Sequence, residues 1–376
     1  MRITVPIGTR PEVIKLAGVI EALQGTGHDL RCVATGQHTD PRMAGDLFAE
    51  LGCRPDASWE LSGDEGERVG QLLSLAFAEM ATSPPDAVMV LGDTYTAPLV
   101  AFAARRYGVG VIHLEAGLRS FNGRSMEETH RKMMSSLATI HLPPTELAAA
   151  FLMADGVPGE RMRVVGNPVI DAIVRTGVAR LPVADRRGVL LTAHRATNVD
   201  DRERLEELVR MACELGTHAG PVTFPLHPRT RARLKDARLL RTLSRASGVH
   251  LVPPMPYHNL LEALAASRIV VTDSGGLQEE ASHFGVPVAV LRASTPRWET
   301  VVTGSTVLTG LDTGRVLDAV RSLADPDELE RLAALPCPYG DGRTAERVVE
   351  ALRDPEILRL LPPSEPELLV RLPEAV

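Results

Sequence analysis

VVTDSGGLQEEASHFGVPVAVLR, residues 270–292, places a β-branched run, a Ser-Gly-Gly turn, a helical segment and a second apolar run in one line. Two glycines at a strand end let backbone N–H groups point at an anion, and the start of a helix adds a positive dipole end. Glu279 and Glu280 follow one turn later. A strand, a covering helix and another strand read as a parallel α/β unit.

The same alternation runs along the whole chain. RITVPIG, LRCVATG, DAVMVLG, GVIHLEAG, TIHLPP and RMRVVGN read as strands in the first half. GVLLTAHR, PVTFPLHP, VHLVPP, RIVVTDSGG, PVAVLR and STVLTG do so in the second. Amphipathic segments such as PLVAFAARRYG fill the gaps, which implies parallel sheets covered on both faces. A polar stretch, RTGVARLPVADRRG, separates the two series. The expected organisation is one Rossmann-like domain over 1–174, a linker over 175–188, a second over 189–353, and a helix with a loosely packed tail over 354–376.

Composition narrows the function classes. The 376 residues are 44% hydrophobic, enough for two cores, but only 3% aromatic, so base stacking is a poor fit. The net charge of −7 and the lack of a basic block argue against nucleic acid and anionic membranes as partners. The opening MRITVPIG starts as a strand with no cationic leader, and no long apolar run follows. Cys32, Cys53, Cys213 and Cys337 are far apart, so neither a disulfide framework nor a zinc site is expected. A cytoplasmic protein with reduced thiols is the economical reading.

Parallel sheets bind ligands beyond the carboxyl ends of their strands. There the chain carries GTRPEVIK (8–15), TGQH (35–38), GDT (92–94), EAGLRS (115–120), AHR (193–195), HPR (227–229) and DSGG (273–276). One polar strand end is commonly a cap or an ion pair, whereas seven in register point to a site.

These motifs, with MEE, PTE, VVGNPVID and YGDGRTAERVVEAL in the same order, resemble the non-hydrolysing UDP-N-acetylglucosamine 2-epimerases over residues 1–353. The resemblance implies two doubly wound domains facing across a cleft, the glycosyltransferase-B arrangement, and a homodimer. It implies a UDP-sugar substrate, with UDP-GlcNAc and UDP-ManNAc interconverted without metal or cofactor. The pathway would be one of cell-surface polysaccharide or secondary metabolism.

Inverting C2 of an N-acetyl sugar is hard because no carbonyl neighbours the C2–H bond. Loss of UDP from C1 makes that proton acidic enough for a carboxylate or imidazole, giving a 2-acetamidoglucal to which UDP adds back. Such a site needs several acid/base groups and a seat for the diphosphate. By the resemblance Asp93, Glu115, Glu127 and His194 are catalytic, although each carboxylate could equally cap a helix or serve an ion pair. Arg10, Lys15, Arg195 and Arg297 are expected at the nucleotide or sugar. Ser274 and the N–H groups of Gly275 and Gly276 would face the diphosphate. Glu280, one turn after Gly276, would take the ribose hydroxyls, with Glu279 structural.

Three departures stand out. The family's HR-x-E-N reads His194-Arg195-Ala196-Thr197-Asn198, and its T-E-R-P-E reads Thr295-Pro296-Arg297-Trp298-Glu299. A glutamine of the family's second, regulatory UDP-GlcNAc site is Asp40 here, and the arginine region downstream reads ELSGDEGER. Gln37, Glu128 and His227 could remain from that site. A hydrolysing 2-epimerase, releasing UDP and free ManNAc, and a non-catalytic UDP-sugar binder stay open as alternatives.

Overall fold

A computed structural model of the chain describes residues 1–37 and 54–362. It divides into two compact units. The first comprises Met1–Leu118, Gly123–Pro168 and the chain from Arg343 onward, and the second Arg119–Asn122 and Val169–Gly342.

In the first unit β1 (Arg2–Ile7), β2 (Asp29–Ala34), β3 (Ala57–Ser58), β4 (Ala87–Leu91), β5 (Gly110–Leu114) and β6 (Ile140–Leu142) form one sheet. Their order is β3-β2-β1-β4-β5-β6, and every neighbour is parallel. In the second, β7 (Val189–Thr192), β8 (Val222–Pro225), β9 (Val249–Val252), β10 (Ile269–Thr272), β11 (Val288–Val290) and β12 (Thr306–Leu308) lie in the order β12-β11-β10-β7-β8-β9. Read from its other edge, that is the same winding. Both sheets therefore have the doubly wound order of a Rossmann fold, and the expected fold class holds.

Burial explains why the strands read as unbroken apolar runs. β4 and β5 are buried at every residue because helices cover both faces of the sheet. Ile3, Val5, Leu16 and Val19 anchor the first core, while Leu191, Leu208, Phe224 and Val271 belong to the second. The winding reverses between β1 and β4 and again between β7 and β10. At such reversals adjacent crossovers diverge to opposite faces and leave a crevice beyond the strand ends.

The structure departs from the sequence reading in four places. RMRVVGN forms no strand; only Met162 bridges to His141, and a helix Pro168–Thr176 follows. The two-residue β3 is too short to show a period. The 175–188 stretch lies within the second unit and is pinned to it. There Arg186, 1% exposed, donates to the carbonyls of Leu181 (3.0 Å), Phe284 (2.8 Å) and Gly285 (2.7 Å), satisfying the C-terminal end of the helix Gly275–Phe284. Finally, the chain does not stay with the second unit until 353. The helix Thr344–Ala351 packs on the helix Arg10–Gln24 of the first unit, and Ile357 and Leu361 join that core. Within the expected tail, Pro355–Leu358 is helical, and residues 363–376 lie outside the described residues.

Candidate active site

At the β1/β4 reversal of the first unit the strand ends are built around buried charge. A Cβ on Gly8 would stand 2.7 Å from Thr96 Oγ1, so only glycine lets the chain pass there. Glu12, on the first turn of the helix Arg10–Gln24, reaches back to accept from the N–H groups of Gly8 (2.6 Å) and Thr9 (2.8 Å). Its other oxygen accepts from Thr94 Oγ1 at 2.8 Å, tying the ends of β1 and β4 together. Burial raises its pKa to about 7 against those hydrogen bonds. Arg10 stands half-buried at the start of the same helix.

Lys15 lies one turn further on. Its Nζ is 2.5 Å from Glu115 Oε1, with the two side chains only 9% and 6% exposed. Lys15, expected at phosphate or sugar, neutralises a predicted catalytic carboxylate. Glu115 follows β5 with φ +61°, a left-handed conformation that costs a non-glycine residue about 1–2 kcal/mol. Strain of this kind concentrates at functional sites. The other carboxylate oxygen of Glu115 would lie 3.3 Å from a Cβ on Gly92, next to Asp93.

The Asp93 turn is held from several sides. His113 Nε2 bonds to the carbonyl of Gly92 (2.8 Å) and His130 Nδ1 to the carbonyl of Asp93 (2.9 Å), which requires a proton on each of those nitrogens. Arg131, 4% exposed, donates through Nη1 to Asp93 Oδ2. The same guanidinium donates to Glu128 Oε2 through Nε (3.1 Å) and Nη2 (2.7 Å). Glu127 is half-buried in the first turn of the helix Met126–Leu137 and accepts from Ser125 Oγ at 2.6 Å. Asp93, Glu115 and Lys15 are thus brought together, while Glu128 is buried against Arg131. Gln37 Oε1 accepts from Thr96 Oγ1 (2.8 Å), and Arg68, from the ELSGDEGER stretch, donates to the Gln37 carbonyl (2.5 Å). Asp40 lies outside the described residues.

In the second unit Asp273 is the hub. Wholly buried at the end of β10, it accepts from the N–H groups of His194 (3.0 Å) and Arg195 (2.9 Å) and from Asn198 Nδ2 (3.0 Å). His194 Nδ1 lies 3.1 Å away. Burial works to raise its pKa, but the His194 contact and the other donors outweigh that and keep it below its ordinary value. The sequence reading left Asp273 inside the turn; it is what orients the predicted His194. The rings of His194 and His227 are 5.3 Å apart. Burial, then His194, lowers the pKa of His227, whose Nδ1 accepts from the Arg229 N–H at 3.2 Å.

The helix Gly275–Phe284 opens on Ser274, whose Oγ accepts from the Leu277 N–H at 3.4 Å. A Cβ on Gly275 would stand 3.1 Å from Arg297 Nη1, so the missing side chain makes room for a guanidinium at the helix N-terminus. Glu279, expected to be merely structural, is fully buried and fixes that guanidinium through Nε (2.8 Å) and Nη2 (2.7 Å). A cation and free-end N–H groups on one spot make an anion seat. Glu280 is 7% exposed, and burial followed by its charge pushes the phenol pKa of Tyr257 up. The departures around Arg297 have structural consequences too: Trp298 Nε1 donates to the carbonyl of Arg119 at 2.8 Å, and Glu299 meets Tyr339 Oη at 3.3 Å.

A family model described as UDP-N-acetylglucosamine 2-epimerase matches residues 21–353. The chain belongs to the UDP-N-acetylglucosamine 2-epimerase family. It is 34% identical over 367 residues to the UDP-N-acetylglucosamine 2-epimerase of Methanocaldococcus jannaschii, covering 94% of this chain and 99% of that one. The solved structure of that protein with UDP-GlcNAc and UDP superposes with a TM-score of 0.84 at 33% identity, again over 94% and 99%. A Pseudomonas aeruginosa relative, 32% identical over 94% of this family member and 99% of its own length, is a UDP-2,3-diacetamido-2,3-dideoxy-D-glucuronate 2-epimerase.

Proposed function

We propose that the chain inverts C2 of UDP-N-acetylglucosamine to give UDP-N-acetylmannosamine, reversibly. The observation that carries this is the strained, buried Glu115, paired with Lys15 and lying against Gly92, the residue before Asp93. A carboxylate so placed suits proton transfer at carbon. The C2 proton passes to a carboxylate as the C1–O bond breaks and its electron pair leaves with UDP, producing 2-acetamidoglucal. Return of a proton to the other face of C2, and of the diphosphate oxygen to C1, completes the inversion. The first unit supplies the acid/base groups Asp93, Glu115 and Glu127. The second supplies His194, oriented by Asp273, and the anion seat of Ser274, Gly275, Gly276 and Arg297, with Arg195 and Glu280 on the nucleotide. Arg10 would serve the nucleotide as well.

The test is incubation with UDP-GlcNAc in D2O, followed by NMR. Deuterium at C2 and accumulation of UDP-ManNAc are expected. Free ManNAc with stoichiometric UDP would establish the hydrolysing reaction instead, and absence of C2 exchange would overturn both.

A second reading keeps the chemistry but changes the sugar to a modified UDP-amino sugar. The reshaped loop Thr295–Glu299 and the P. aeruginosa relative favour it. Faster C2 exchange on a UDP-2,3-diacetamido sugar than on UDP-GlcNAc would establish it.

We also infer a homodimer working in the cytoplasm. Phe102 and Tyr107, 43% and 47% exposed, cluster with Phe77 on the first unit, an apolar patch of the kind that subunits cover. Among the described residues Cys213 and Cys337 form no disulfide, and no helix is long and apolar enough to cross a membrane. Light scattering on the purified protein decides the oligomeric state, and a monomeric mass would remove the dimer.

A further inference from the structure

Arg131 is not among the acid/base groups assigned above, yet it is among the most deeply buried cations of the first unit. Its guanidinium joins two carboxylates with different surroundings: Asp93, whose side chain is 30% exposed, and Glu128, 4% exposed. Nη1 serves Asp93, whereas Nε and Nη2 both serve Glu128. Two donors on one acceptor fix the plane of the fork, so Glu128 sets where Nη1 points. We propose that Arg131 and Glu128 form a positioning pair that orients Asp93 for the C2 proton transfer. Glu128 thereby acts through Arg131 rather than as the remnant of a regulatory site.

The other charges at this turn do not replace the pair. From the helix Met126–Leu137, Glu127 and His130 face it, and His130 bonds the Asp93 backbone, not its carboxylate. From the helix Arg10–Gln24, Glu12 holds Thr94 and Lys15 is committed to Glu115. From β5, His113 bonds the Gly92 carbonyl.

The inference rests on the epimerase reading, and the experiment separates the two. The kcat and KM of C2 deuterium exchange are measured in the wild type, R131K, E128Q and R131Q/E128Q, with folding checked by circular dichroism. The double variant removes both buried charges together and so protects the fold. Expected are a kcat lowered by about 10²-fold in E128Q and R131Q/E128Q, where Asp93 is no longer oriented, with KM little changed, and a smaller loss in R131K, whose ammonium keeps one donor for Asp93. Equal losses in all three variants, or losses carried by KM with kcat unmoved, would mean a purely structural pair and overturn the proposal. A wild type that never exchanges C2 would overturn the epimerase reading alone. The pair is then judged by the crystal structure of E128Q, where an Asp93 carboxylate left in place overturns it and a displaced one sustains it.

Discussion

Lys15 and Glu115 meet at 2.5 Å although one sits on the first helix and the other a hundred residues later, at the end of the fourth strand along the chain after β1. Both side chains are almost out of water, so each is the other's main compensation for lost hydration. Replacing Lys15 by methionine keeps the length of the side chain and strands the carboxylate. The expected result is a loss of about 3–5 kcal/mol, read as a lower denaturation midpoint, because one partner of a buried pair remains. A midpoint within error of the wild type would show that Glu115 does not depend on Lys15.

Glu115→Gln tests the carboxylate itself. The amide retains shape and hydrogen bonding but transfers no proton. C2 exchange should fall by about 10²–10⁴, the usual worth of a general base or acid. UDP binding by calorimetry should be unchanged. Exchange at the wild-type rate would take Glu115 out of the catalytic set.

Glu12 makes stability depend on pH. Its pKa is about 7 in the fold against an ordinary 4.5, so between those values the folded chain keeps a proton that the unfolded chain releases. That contribution is fully present below about pH 4.5 and is lost as pH rises through about 7. Glu12→Gln, neutral at every pH, should therefore melt higher than the wild type above pH 7 by up to about 3 kcal/mol, with the difference fading toward pH 4.5. A pH-independent difference in melting temperature would contradict this.

Gly275→Ala probes the anion seat. Its new methyl would stand 3.1 Å from Arg297 Nη1, forcing the guanidinium off the helix end or straining its bond to Glu279. UDP affinity should weaken by about tenfold or more, since a charge-assisted hydrogen bond contributes about 1.5–3 kcal/mol. Unchanged affinity would mean that Arg297 does not serve the ligand.

Much of this was legible in the sequence because its signals are local. Each apolar run flanked by glycine or a polar cluster became a strand, except RMRVVGN, where alternating arginines mimic a half-buried strand but only Met162 finds a partner. Asp93, Glu115 and His194 were proposed because they stand at strand ends, where such folds place chemistry, and match the family's motifs. Their supports were not. Glu12, Arg131 and Asp273 act over separations of 82, 38 and 79 residues, on Thr94, Asp93 and His194 respectively, and no spacing rule reports such pairs. The pairing of Lys15 with Glu115 was hidden for the same reason: a lysine on a helix does not disclose which anion it meets.

The helix Thr344–Ala351 returns to cover Leu16, Val19 and their neighbours, with Ile357 and Leu361 behind it. The order of synthesis is therefore not the order of completion. A chain emerging from the ribosome has the whole of the second unit in hand before the first receives its last covering layer. During that interval the earliest-made sheet exposes an apolar flank, at the stage when partly folded chains are most prone to associate.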